Sequence, residues 1–260
     1  MITKEELDNL VLRYETKDFI KDDPIQFPHR YSNFNDIELV GFISSLFAYG
    51  NRKIFIKKLD ELFGYMQNEP VNFIKNGDFG ILKANDFNYR FSKPKDIIEL
   101  FTILSKLYNS SNGLSELFSF GFNNKNIEIM MQSVVDYFYA NAKSDVGHGF
   151  YHLLPNPRKQ CAMKRMNMFL RWMVRKSEVD LGIWEFIPKS ELLIPLDVHV
   201  ARLSREMELI VTNKSNNMKA VKELTSNLRL FDKNDPVKYD FAIFGKGIEE
   251  SLSKSSLAKV

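Results

Sequence analysis

The segment IPLDVHVARLSREMEL, Ile194 to Leu209, decides how the chain is read. An apolar run broken by Pro195 stops at one carboxylate, Asp197, and a helical pattern starts straight after it. Aspartate suits that position because its side-chain oxygen accepts hydrogen bonds from the free amides of a first helical turn. His199, one of four histidines in the chain, falls inside that turn. Two readings of Asp197 stand at this point: a cap alone, or a cap whose carboxylate also does chemistry.

The helix before it sharpens the choice. AMKRMNMFLRWMVRK, Ala162 to Lys176, is the most strongly sided segment of the chain. Met163, Met166, Phe169, Leu170 and Met173 share one face, and Lys164, Met168, Arg171 and Arg175 share the opposite one. The plain reading is a core helix with a solvated basic stripe. Arg171 and Arg175 repel at i, i+4, at a cost of about a few tenths of a kcal/mol unless an anion lies across them. Lys164 opens the helix, where the helix dipole disfavours a cation. It is an ordinary surface lysine, a phosphate ligand or an amine nucleophile.

The rest of the chain sets the frame. At 260 residues it can bury a substantial core. No charge-free apolar run approaches the roughly 18 residues of a membrane span, and MITKEELDNL has no signal-peptide core. Cys161 is the only cysteine, so intramolecular disulfides and cysteine-ligated clusters are excluded, and a cytoplasmic location is expected. The net charge of +3 permits nucleic-acid binding without arguing for it. Apolar residues recur at three and four almost throughout, which predicts an all-α fold. Asn35 to Glu38 reads as a capping box opening a helix that ends near Tyr49, Gly50 and Asn51. A second helix follows, with Ile54, Leu59 and Leu62 inside. Pro94 and Asp96 start another, and Ile127 to Tyr139 continues the pattern. Asp235-Pro236 reads as a cap followed by a first-turn proline, and Gly245 or Gly247 as the stop of that last helix. The stretches 75–95, 144–159 and 175–190 are loop-like without linker composition. Residues 1–260 are therefore taken as one compact helical domain, divisible into two lobes with a cleft.

A lysine opening a helix, then a loop, then an apolar run ending in an aspartate at the next helix start resembles the helix-hairpin-helix (HhH-GPD) DNA glycosylase superfamily. LDVHVARLSREMEL is similar to that superfamily's aspartate-bearing element, and the lack of a cysteine cluster places the resemblance nearest the oxoguanine and archaeal-type branches. More closely still, HRYSNFNDIELVGFISSLFAYGNRK, KRMNMFLRWMVRK and FDKNDPVKYDFAIFGKG resemble a widespread bacterial family of unassigned function. The superfamily resemblance implies a bilobal, all-α HhH-GPD glycosylase-like fold and a monomer acting on double-stranded DNA that contains a damaged base. It implies no cofactor and no metal. One departure matters: the usual hairpin carries glycines whose amides approach a phosphate, and LLPNPRKQCAMK, Leu153 to Lys164, has none.

The resemblance implies a base-excision glycosylase with AP-lyase activity on an oxidised purine such as 8-oxoguanine. Lys164 would be the amine nucleophile and Asp197 the carboxylate that stabilises charge on the sugar. Lys159 competes for the lysine role, and Lys164 is preferred because it lies on the basic stripe of a well-formed helix. Arg158 and Lys159 would replace the missing hairpin amides, and Arg171, Arg175 and His199 would complete the DNA contacts. Tyr49, Gly50 and Asn51 are the candidate wedge into the duplex. Trp172 and Trp184 read as base-stacking rings or as core. Alternatives kept open are a helical DNA-binding module without chemistry and a helical protein unrelated to nucleic acid.

Overall fold

The computed structural model describes residues 2–247. Among these the chain is all-α, with no strand and only isolated bridges such as Tyr89–Ser92 and Cys161–Asn217. It divides into two compact units, Asp22–Lys159 and Met1–Lys21 with Gln160–Val260. The first is continuous in sequence, and the second is assembled from two separated stretches.

In the second unit, α1 (Lys4–Tyr14) and α2 (Lys17–Ile20) precede the excursion of the chain through the other unit. In Asp22–Lys159, α3 (Phe34–Phe47) is the central helix, buried without a break from Ile37 to Phe47. Its cap is Asn33, whose side chain accepts from the amides of Asn35 and Asp36, rather than the expected Asn35. Glu38, read as the far side of a capping box, is fully buried and works elsewhere. It accepts from the Tyr108 hydroxyl and from the Leu114 and Ser115 amides, and so caps another helix through space. Around α3 lie α4 (Arg52–Gly64), α5 (Pro70–Asn76), α6 (Gly80–Ala84), α7 (Pro94–Ser110), α8 (Leu114–Gly121), α9 (Ile127–Asn141) and α10 (His148–Leu153). On α4, Phe55, Leu59, Leu62 and Phe63 are buried, whereas Ile54, expected inside, is 55% exposed. Short helices α6 and α10 occupy two stretches that read as loops, because five- and six-residue helices are too brief to display a period.

The second unit resumes with α11 (Lys164–Val174), α12 (Val198–Glu206) and α13 (Met218–Phe231), and helical backbone returns over 239–247. Trp172, Phe169 and Met173 form its core with Trp184, Ile194 and Val200. Both tryptophans are buried, so both serve as core. Gly245 does not stop the last helix. A Cβ there would meet the ring of Tyr14 on α1 within 3 Å, so its glycine marks a close helix contact, and helical backbone runs on to Gly247, the last described residue. Asp235 makes no side-chain cap, because its carboxylate accepts from Arg175 instead.

The turn entering α11 explains how the chain manages without hairpin glycines. Gln160 and Met163 adopt left-handed backbone, at φ 56° and 49°. Such conformations cost non-glycine residues about 1–2 kcal/mol each. The turn is held by the Met218 amide donating to the Gln160 carbonyl at 3.0 Å, and by Asn167, whose side-chain amide donates to the Ala162 carbonyl at 3.1 Å.

Candidate functional site

Lys164 is the first residue of α11, and Asp197 is the N-cap of α12. One carboxylate oxygen of Asp197 accepts from the His199 and Val200 amides at 2.8 and 2.9 Å. The other lies 3.5 Å from Lys164 Nζ. The aspartate side chain is 12% exposed and the lysine 34%. Cap and ion-pair partner are thus the same carboxylate, with one oxygen for each task. His199 contributes its amide, and its half-buried side chain packs against Gly247.

Behind this pair lies a buried charge cluster. Arg171 pairs with Asp180 at 3.1 Å and with Asp240, and its guanidinium sits 3.9 Å from the Phe241 ring centroid. Arg175 pairs with Asp180 at 2.8 Å, with Asp235 at 3.0 Å and with Glu15. Asp180 therefore lies across the repulsive i, i+4 arginine pair. The sequence demanded an anion there and the protein supplies it. The expectation that Arg171 and Arg175 form a DNA-facing stripe is corrected: they are 3% and 5% exposed, and their partners are internal carboxylates. Burial lowers the proton affinity of Arg175, but Glu15, Asp180 and Asp235 more than offset this and hold it above its ordinary pKa.

Asp240 is the site residue that sequence reasoning missed. It is 6% exposed, and its Oδ1 is buried without a hydrogen-bond partner. Burial pushes its carboxyl up to about 7, with Arg171 and Lys164 pulling it down and Asp197 pushing it further up. The charges of Lys164 and Asp197 therefore both act on Asp240. The only trace in the sequence is a lone acid inside the apolar run YDFAIFG.

The remaining candidates lie apart from this cluster in the chain. Arg158 forms a two-pronged pair with Asp136 at 2.6 and 2.8 Å, and Lys159 is exposed in the preceding 3₁₀ turn. Asn51 caps α4 by accepting from the Ile54 amide. The Tyr49 hydroxyl donates to the Tyr89 carbonyl at 3.2 Å, and its ring lies against Tyr89 and His152.

Chemically, a half-exposed amine held beside a carboxylate fixed by helix amides can act as a nucleophile next to a charge stabiliser, or as a salt-bridged anion ligand. The fold and site define an all-α protein with a lysine–aspartate pair at two helix starts over a buried charge cluster. Residues 23–249 match the family described as a protein of unknown function, DUF2400, and the chain belongs to that family. No curated protein and no solved structure matches it. Among the described residues no helix is long and apolar enough to cross a membrane.

Proposed function

We propose that this protein is a base-excision DNA glycosylase with AP-lyase activity, of the HhH-GPD type, acting on an oxidised purine in double-stranded DNA. The observation that carries the reading is the 3.5 Å approach of Lys164 Nζ to the uncapped oxygen of Asp197. The damaged nucleotide leaves the stack, since C1′ is unreachable inside a duplex. The Lys164 amine, once deprotonated, attacks C1′ as the bond to the base breaks, and the base departs with that electron pair and takes up a proton. Asp197 offsets the positive charge developing on the sugar. Ring opening gives a Schiff base, and loss of the 2′ proton expels the 3′ phosphate by β-elimination.

The test is borohydride trapping on duplexes containing 8-oxoguanine, with free base measured alongside. A covalent adduct together with released base supports the reading. Absence of both across common oxidised purines overturns it.

A further inference from the structure

The segment FNYRFSKPK, Phe87 to Lys95, carries three cations and no acid, and its centre is a tight turn. Tyr89 and Ser92 exchange backbone hydrogen bonds at 3.0 and 2.9 Å across Arg90 and Phe91. Arg90 sits at φ 51°, a strained conformation for a non-glycine residue. The surroundings fix that turn on both sides. The Tyr89 hydroxyl donates to the Tyr49 carbonyl and the Tyr49 hydroxyl returns the bond at 3.2 Å. The Lys93 amide donates to the buried carboxylate of Asp96 at 2.9 Å. A Cβ on Gly149 would come within 2.6 Å of Ser92 Cα, so α10 packs hard against the turn.

All this rigidity presents an aromatic ring to water. Phe91 is 51% exposed, with one side of its ring resting 4.7 Å from the His152 ring. The Arg90 guanidinium stands 5.8 Å from the ring of Phe91 and 6.0 Å from that of Tyr49. Among the described residues no carboxylate forms an ion pair with Arg90 or Lys93. Part of the Phe91 ring packs on His152, and the rest faces water next to Arg90.

We infer that the Arg90–Phe91 turn is a nucleic-acid contact, on which Phe91 stacks an unpaired base while Arg90 and Lys93 take the adjoining phosphates. Aromatic platforms flanked by cations bind unstacked strands in this way, because every base has a face to stack. Tyr49, expected from the amino-acid sequence to wedge into the duplex, becomes the brace, and Phe91 the inserting ring. The inference rests on the proposed DNA reading for its partner, and not on the lysine chemistry.

The experiment compares the full chain with Phe91→Ala, Phe91→Trp and Arg90→Ala. The probe is a fluorescein-labelled duplex with a tetrahydrofuran abasic site and 2-aminopurine opposite it. Binding by the wild type should change the 2-aminopurine emission. Phe91→Ala should weaken binding by about tenfold and abolish that change, Phe91→Trp should restore both, and Arg90→Ala should weaken binding and lower its salt slope. Phe91-dependent binding without any trapped adduct supports this inference while removing the lyase reading. Trapping with unaltered binding by a folded Phe91→Ala protein does the reverse. Failure of the wild type to bind DNA, or Phe91-dependent binding to phosphatidylserine vesicles alone, overturns the inference.

Discussion

Lys164 and Asp197 meet through one carboxylate oxygen, while the other oxygen of the same group holds the first turn of α12. The cap and the ion pair therefore place separable demands on a single side chain. Asp197→Asn keeps an acceptor for the cap and should cost about 1 kcal/mol or less in stability. It removes the charge facing Lys164, and base release should fall by about 10² or more. Lys164→Gln should abolish the borohydride adduct with duplex affinity nearly intact. If trapping persists in Lys164→Gln and vanishes in Lys159→Gln, the nucleophile belongs to the turn before α11. A normal rate of base release in Asp197→Asn would leave Asp197 as a cap only.

The arginines of α11 should be required for folding. Arg175→Met strands the buried Glu15 and leaves Asp180 to Arg171 alone and Asp235 to Lys189 alone, and breaking a buried ion pair from one side costs about 3–5 kcal/mol. Urea unfolding should register that loss in the midpoint. Any variant that still folds should bind duplex DNA with an unchanged salt slope, because phosphates do not reach a buried side chain.

Asp240 should make stability fall as pH rises. Its carboxyl titrates at about 7 in the folded protein against 3.8 as its ordinary value. Between those limits the folded state binds more protons than the unfolded one, so its contribution is intact below the lower value and is lost as pH rises through the upper. Asp240→Asn should flatten that slope in urea titrations run across the window. Glu223 provides an opposite control. Burial raises its carboxyl, but hydrogen bonds from the Thr212 and Val211 amides and the Asn213 side chain bring it down to about 2. Its contribution is present above 4.5 and is lost as pH falls towards 2. An unchanged slope in Asp240→Asn would mean that the buried carboxyl titrates alike in both states.

Gln160→Gly offers a gain. Gln160 is exposed and left-handed, so glycine removes a steric cost of about 1–2 kcal/mol while adding about 0.5–1 kcal/mol of unfolded-chain entropy. A net stabilisation of about 0.5 kcal/mol is expected, read as a higher unfolding midpoint. A lower midpoint would show that the glutamine side chain contributes more than its backbone strain costs.

These outcomes bear on what the sequence discloses. The helical periods of α7, α9 and α11 are legible because an apolar face repeats within one segment, α3 is legible as a long apolar run after a polar start, and the Lys164 and Asp197 positions follow from helix-start chemistry. The environment of Arg171 and Arg175 is not legible. Periodicity shows that a helix has two faces, but both faces of α11 are covered, one by apolar residues and one by Asp180, Asp240, Asp235 and Glu15. Those carboxylates lie up to 160 residues away along the chain. Glu38 misleads for the same reason, since its partners Tyr108, Leu114 and Ser115 are 70 to 77 positions distant. Asp240 shows only as a lone acid in an apolar run, with nothing local to say what it pairs with.

The origin of those carboxylates also orders the protein's assembly during synthesis. Arg175 needs Glu15, made early, and Asp235, made late, while Arg171 needs Asp240. The unit Asp22–Lys159 is continuous and has all its residues outside the ribosome long before Asp240 emerges. Domains fold as their residues become available during translation, so α11 waits with its arginines only partly compensated, by Glu15 and Asp180, until Asp235 and Asp240 arrive. A nascent chain halted before Asp235 should hold a protease-resistant 22–159 core and a cleavable α11, and extension past Asp240 should close it.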